Sequence, residues 1–562
     1  MVYDLGYFAL LIAFALALYS AAAGVLGAQT KRPQFVESAR NAALVVFLLL
    51  TLCVLIIIYG LAMLDFNVAY VADVSSRAMS PFLRVTALWG GQQGSLLFWA
   101  WMMSGFAAAV MIRKWRRDRE LMPYVIFVTM GTLAFFIGLT LFISNPFARL
   151  WHDPLTDEII TALWQPKGMM VFTPQDGQGL NPLLRHFGMI GHPPTTYVGF
   201  TGFVIPFAFA IAALITGKAG EDEWIRTTRR WTLVAWLFLS IGLVLGGRWA
   251  YDVLGWGGYW GWDPIENAML MPWLTGTAFL HSMMIQEKRG MLKVWNIVLI
   301  ILTYSLSIFG TFITRTGVVG SVHAFSKSAM GPSFLIFVAV TFLGSLALMF
   351  KRLDTLKSDH ELDSLLSRES AFLLQNLLFL GITFAVFWGT TFPMISELVT
   401  GTKITVGPPF FKQVTGPLFA ALVLLMGIGP LFAWRKQATA KLGKSLLIPF
   451  AGSVIVTIIA AFAHWPRHPF PLALFGLWLV SLAALTTLFE FWRGARARMQ
   501  SQGENFFAAL GHLMWRNRRR YGGYIIHLGV AMMALGVVGD EFFKAETQGT
   551  VGVGESLAVE NY

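Results

Sequence analysis

Fourteen stretches of mostly apolar residues recur along the 562-residue chain, near 6–28, 41–63, 95–112, 122–144, 195–216, 231–247, 264–286, 294–313, 331–350, 371–390, 416–434, 446–463, 470–492 and 524–542. At about 20 residues each, they are long enough to cross a bilayer as helices. This pattern leaves few choices of fold. In lipid, every backbone N–H and C=O must be bonded inside its own element or a closed barrel, and a helix satisfies them alone. The sequence therefore predicts an all-α polytopic membrane protein of about 14 transmembrane helices, one helical domain over residues 1–562.

Charged residues are only 13% of the chain, yet the net charge is +12. Nucleic acid is not the expected partner, because the basic residues do not form one patch. They fall in every second loop, at 31–40, 113–119, 218–230, 288–293, 351–368, 435–444 and 493–520, which hold 30 of the 42 Lys and Arg. Such a bias puts those loops in the cytoplasm. The N-terminus is then outside, as are the loops 64–94, 145–194, 248–263, 314–330, 391–415, 464–469 and the tail 543–562. The first apolar stretch lacks a basic start and a small-residue cleavage site, so no cleavable leader is expected. A single cysteine, Cys53, excludes an intrachain disulfide, a CxxC pair and a zinc knuckle. Residues 501–515 pattern as an amphipathic helix on the inner surface, and the arginines of 516–520 are expected to meet lipid head groups.

The outer loop 248–263 ends in Trp256-Gly-Gly-Tyr259-Trp260-Gly-Trp262-Asp263-Pro264. Four aromatic rings within seven residues, spaced by glycines, make a shelf for one large, flat, apolar ligand. Asp263 reads as a helix N-cap with Pro264 at the first helical position. An interfacial aromatic belt is the competing explanation. The long loop 145–194, rich in Pro, Gly, Asp and His, reads as an ordered binding loop.

Two pairs of histidines bear on the shelf's ligand. His192 opens His-Pro-Pro at the end of loop 145–194, and His323 lies in loop 314–330. Imidazoles beside an aromatic platform suggest axial ligation of haem iron, with ordinary loop hydrogen bonds as the alternative. His281 lies seven residues before Lys288, and His527 seven after Arg520. Both therefore sit about 10 Å from the inner boundary on different helices. Ionisable residues within spans are costly and usually functional. Two imidazoles at one depth suit a second haem, a helix–helix hydrogen bond or a proton relay. Arg248 and Arg315, at the outer ends of spans, suit either a ligand's carboxylates or interfacial anchoring. The glycine-rich 89–99 lacks the lysine of a phosphate loop.

With these residues in view, the chain resembles the CcmF-type cytochrome c haem lyases of the haem-handling membrane protein superfamily, over nearly its whole length. Residues 256–273 look like that family's tryptophan-rich "WWD" domain, with Tyr259 where many relatives carry Trp. Asn181-Pro-Leu-Leu followed by His192-Pro-Pro, and Gly310-Thr-Phe-Ile-Thr-Arg-Thr-Gly followed by Ser-Val-His323, resemble the segments holding the two external haem ligands. His281 and His527 match the two transmembrane ligands of a resident b-type haem. At 92–93 this chain has Gln-Gln where relatives often carry His-Glu, so no acid–base or ligand role is assigned there. Relatives also extend through a further external segment and span, so the tail 543–562 is expected to be either naturally short or truncated.

The resemblance implies a haem lyase in the bacterial inner membrane, its attachment site on the periplasmic face. Haem arrives from a CcmE-type chaperone and is held at the outer site by His192 and His323, with Trp256, Tyr259, Trp260, Trp262, Asp263, Arg248 and Arg315 around it. There it receives the thiols of an apocytochrome c CxxCH segment supplied with CcmH/CcmI-type partners. A resident bis-His haem b, reduced by quinol, would control its iron. Two other classes are weighed. A transmembrane haem transporter, if ATP-driven, needs a partner ATPase, since the chain has no Walker motif. A quinol-coupled ion pump needs several buried charged residues, which most spans lack.

Overall fold

The computed structural model describes residues 1–113, 115, 118–255, 257–317, 330–433, 439–464 (backbone alone at 439–441 and 464), 471–547 and 549–559. Within them, 14 helical spans are long and apolar enough to cross a membrane, as the apolar windows predict. Their contacts divide the chain into two compact units, Met1–His360 with Thr383–Phe411, and Glu361–Ile382 with Lys412–Tyr562. The sequence reads as one domain because two of these boundaries fall inside apolar helices, where no polar linker marks them.

The first unit holds α1 (Val2–Gln29), α2 (Pro33–Met63), the short α3 (Ala69–Val74) and α4 (Pro81–Thr86), α5 (Gln92–Ile112) and α6 (Met122–Phe142). It continues through α7 (Gly188–Gly202), α8 (Val204–Thr216), α9 (Glu223–Val253), α10 (Pro264–Arg289), α11 (Lys293–Thr316) and α12 (Gly331–Lys351). The outer part of α13 (Arg368–Thr400) and the first residues of α14 (Pro408–Ile428) complete it. The second unit holds the rest of α13 and α14, with α15 (Thr439–His464), α16 (Pro471–Gln502), α17 (Phe506–Arg516) and α18 (Arg518–Phe542).

In the apolar centre of the span formed by α7 and α8, 89% of residues are buried, against 17% in that of α12. A helix enclosed on all sides needs neighbours that approach closely, and small residues permit this. Along α7 and α9, a side chain at Gly199 would lie 2.6 Å from Leu239 Cβ, at Gly202 2.8 Å from Ala235 Cβ, and at Gly246 2.5 Å from the His192 ring. The α9 residues Ala235, Leu239, Gly242, Gly246 and Trp249 recur every three or four positions, which places them on one stripe. This seam sets the position of α7.

The outer loop from 145 is not irregular. It forms a three-stranded antiparallel sheet, β1 (Arg149–His152) between β2 (Ile159–Ala162) and β3 (Met170–Val171). Arg149 pairs with Ala162 and His152 with Ile159, while Trp151 also faces Val171. Trp151 is buried and donates its indole N–H to Ala162 O at 3.0 Å. Asn67 Nδ2 straps the sheet by donating to Phe172 O (3.0 Å) and Leu150 O (3.3 Å). These short strands are too brief for a clear period-2 pattern in sequence.

Three loop boundaries also shift. Helix α7 begins at Gly188, so His192 lies inside it and the loop ends at 187. Helix α9 continues to Val253, which confines the aromatic segment to 254–263. Helix α11 continues to Thr316. In each case a polar or Pro-bearing terminal turn outruns the apolar window used to find it. Helix α17 occupies the predicted amphipathic stretch, with Phe507 and Trp515 exposed and Asn505 capping it by accepting from Ala508 N–H at 2.9 Å.

Candidate functional site

His192 is set by two opposed features of α7. Pro193 and Pro194 lack the N–H that an interior helical residue donates. The turn before them is closed by shorter-range bonds, from Met189 N–H to His186 O and from Ile190 N–H to Phe187 O, each 3.0 Å. The ring is buried, at 7% exposure, against Gly246 of α9. Its Nδ1 lies 2.8 Å from the backbone oxygen of Gly242. A carbonyl only accepts, so Nδ1 carries the proton, which in a neutral ring puts the lone pair on Nε2. This is the tautomer and support that metal-ligating histidines use.

The aromatic shelf meets the same turn of α9. Gly247, next to Gly246, backs onto the Tyr259 carbonyl, where a Cβ would lie at 2.9 Å. Tyr259 itself stacks on Tyr251, with centroids 4.4 Å apart and planes at 7°. Gly255 and Gly257 have φ of +64° and +66°, values that glycine adopts without a Cβ penalty. Trp262 has φ +57° with a side chain, and Asn267 Nδ2 holds its carbonyl at 3.1 Å. Its ring stacks on Phe411 (5.0 Å, 4°), and Trp260 stands edge-on to it at 6.0 Å and 89°.

The helix start behind the shelf is a capping box. Asp263 Oδ1 accepts from Ile265 N–H at 2.9 Å, with Pro264 first in the helix, as the sequence predicts. Glu266 was not anticipated from the sequence. Its Oε2 accepts from the N–H groups of Gly261 (3.0 Å) and Asp263 (3.1 Å), tying the loop to α10. The Asp-x-x-Glu spacing is the signal that could have found it.

The two outer arginines differ. Arg248 is half-exposed and engaged by Asp252 at 2.8 Å, with His186 3.7 Å from the same carboxylate. Arg315 is 5% exposed. It donates to Ser95 Oγ at 2.7 Å, reaches Gln92 O at 3.5 Å, and lies 5.8 Å from the centroid of the Tyr197 ring. No described acidic residue pairs with it. Tyr70 adjoins this cation; its hydroxyl donates to Ala87 O (2.7 Å) and Leu88 O (2.9 Å), and burial pushes it well above the ordinary tyrosine range. Arg315 is thus an internal cation among neutral groups, and not an interfacial anchor.

Trp256 and His323 lie outside the described residues. His281 is half-buried within α10, in the first unit. His527 belongs to the second unit, within α18. Its helix buries Tyr521, Tyr524 and Ala531, and the imidazole lies on that side. Arg520 departs from the lipid-facing expectation by turning to the buried Glu490 of α16, while Arg518 lies 3.6 Å over the Trp515 ring. Glu490 was also missed; its signal is a lone acid in an apolar span with Arg493 three residues on.

Fold and site define a class: a multi-pass α-helical membrane protein that presents an aromatic loop beside a helix-borne imidazole. Residues 89–319 match the cytochrome C assembly protein family. The chain is 36% identical to the cytochrome c-type biogenesis protein CcmF of Haemophilus influenzae, over all of this chain and 82% of that one. It is 32% identical to CcmF of Escherichia coli, covering 81% of it. A solved structure, cytochrome c haem lyase CcmF, superposes with a TM-score of 0.73 at 29% identity, covering 96% of this chain and 77% of that one. The chain belongs to the CcmF family of cytochrome c biogenesis proteins.

Proposed function

We propose that this protein is a cytochrome c haem lyase whose substrate haem is held at the aromatic segment 254–263 by His192 and His323. The observation that carries this is the His192 ring, fixed by Gly242 O so that Nε2 is the ligating atom. Trp256, Tyr259, Trp260 and Trp262 are the proposed aromatic contacts of the macrocycle, and Asp263 with Glu266 ties the segment that bears them to α10. Arg315 is the stronger carboxylate anchor and Arg248, already engaged by Asp252, the weaker. Each apocytochrome thiol adds across one vinyl group: a carbon–sulfur bond forms, the thiol hydrogen goes to the other vinyl carbon, and no net electrons move. The protein's part is positioning and keeping the substrate iron reduced.

His281 and His527 are proposed as the ligands of a resident haem b; the family resemblance and their place inside α10 and α18 support this. When bound, that group supplies one-electron transfer from quinol to the substrate iron. The proposed setting is the bacterial inner membrane with 254–263 on the periplasmic face, a CcmE-type chaperone as haem donor, and CcmH/CcmI-type partners presenting apocytochrome c. The test is cytochrome c maturation with haem stoichiometry by pyridine haemochrome. His192→Ala and His323→Ala should abolish maturation and keep the resident haem, whereas His281→Ala and His527→Ala should lose its b-type spectrum. Normal maturation in the first pair overturns the lyase site. Haem movement across vesicles by the chain alone, without cytochrome, would favour a transporter.

A further inference from the structure

We propose that Arg520 and Arg493, gathered on Glu490, bind the carboxylates of the resident haem and orient it with its carboxylate edge toward the inner, basic end of α18. The inference rests on the reading of His527 as a haem ligand. Arg520, Tyr524 and His527 fall at i, i+4 and i+7, one stripe of α18. Glu490 is 1% exposed, accepts from Arg520, and lies 2.6 Å from Arg493 Nη2. Tyr524 closes the group: its hydroxyl accepts from Arg520 Nε at 3.1 Å and lies 3.5 Å from Glu490 Oε2. Arg368 interacts with the same cluster, next to the buried Glu369. Two guanidiniums thus meet the one carboxylate of Glu490, and the Arg493 and Arg520 side chains each remain 47% exposed. The cluster has both charge and donors to spare.

The direction follows from what lies each way along α18. Outward from His527 the stripe is apolar, through Ala531, Leu535 and Val538, and then meets Asp540 and Glu541. Glu541 already holds Lys412 at 2.6 Å. Ionised carboxylates in a low-dielectric span must be paired, and that end offers like charge. Inward, the Arg520 backbone is about 10 Å from that of His527 along the axis, a distance a porphyrin radius, a carboxylate arm and an arginine side chain together cover. The apolar edge then points outward.

The experiment uses the full chain made in haem-deficient cells and loaded with haem b or its dimethyl ester, in wild type, Arg520→Gln/Arg493→Gln and Arg520→Lys. A hydrogen bond to a charged group contributes about 1.5–3 kcal/mol, so wild type should prefer the free acid by about 10–100-fold. The double variant should lose most of that preference while keeping a low-spin bis-imidazole spectrum, and its haem midpoint potential should fall. Arg520→Lys should restore part of the preference. Equal binding of acid and ester by wild type overturns the proposal without any substitution. So does an undiminished preference in the double variant, or one that disappears only when anionic lipid is withdrawn, which would assign the arginines to head groups. Loss is distinguishable from failure of the parent reading: in that case wild type shows no low-spin haem, or keeps it in His527→Ala.

Discussion

His192 occupies a site with almost no slack. A methyl group at Gly246 would lie 2.5 Å from the ring, closer than van der Waals contact allows. Gly246→Ala should therefore displace the imidazole and weaken haem binding at the outer site by about tenfold or more, at a packing cost of about 1–3 kcal/mol. Haem titration of the purified protein checks this; the resident b-type spectrum should be unchanged. Glu266 supports the shelf from the other side. Glu266→Ala leaves the Gly261 and Asp263 N–H groups without their acceptor, and should lower stability by about 1–2 kcal/mol. Glu266→Gln, which keeps an acceptor oxygen, should recover most of it in a thermal melt. Asp263 as a cap was legible in the sequence because local spacing determines it. The His192–Gly242 bond was not, because the partner lies 50 residues away and only the packing of two helices brings it near.

At the scale of elements, apolar windows found all 14 spans, because lipid exposure makes composition nearly sufficient. They missed helix ends, where capping and Pro-bearing turns continue past the last apolar residue, and the small three-stranded sheet, whose strands of two to four residues are too short to show alternation. The α16–α17 corner illustrates a link readable only in three dimensions. Arg498 donates to both oxygens of Glu504 (2.6 and 2.7 Å), and His512 Nδ1 lies 3.0 Å away. The Arg498 hydrogen bonds hold the Glu504 carboxyl below its usual range. A depressed carboxyl contributes stability above its unfolded value and loses it as pH falls through the folded one. The corner should therefore hold at neutral pH and loosen in acid, below the ordinary carboxylate range. Limited proteolysis near Gly503 across that range should show cleavage rising as pH drops, and Glu504→Gln should be cut similarly at every pH.

At the scale of the whole molecule, contacts group the chain into two compact units, and two of the boundaries fall inside apolar helices. The proposed function predicts two separable equivalents of haem. Haem added to purified wild type should fill a second, weaker site; His192→Ala should abolish that second equivalent alone, and His527→Ala the first. Wild type that takes up only one equivalent, lost in both variants, would instead mean one shared site. The seam of Gly199, Gly202, Gly242 and Gly246 carries a mechanical corollary. An imidazole wedged against glycine and tethered to a carbonyl is a mooring post: it cannot swing out to greet cargo or follow it away. On the function proposed above, the arrival and departure of haem are then decided on the opposite face of the flat molecule.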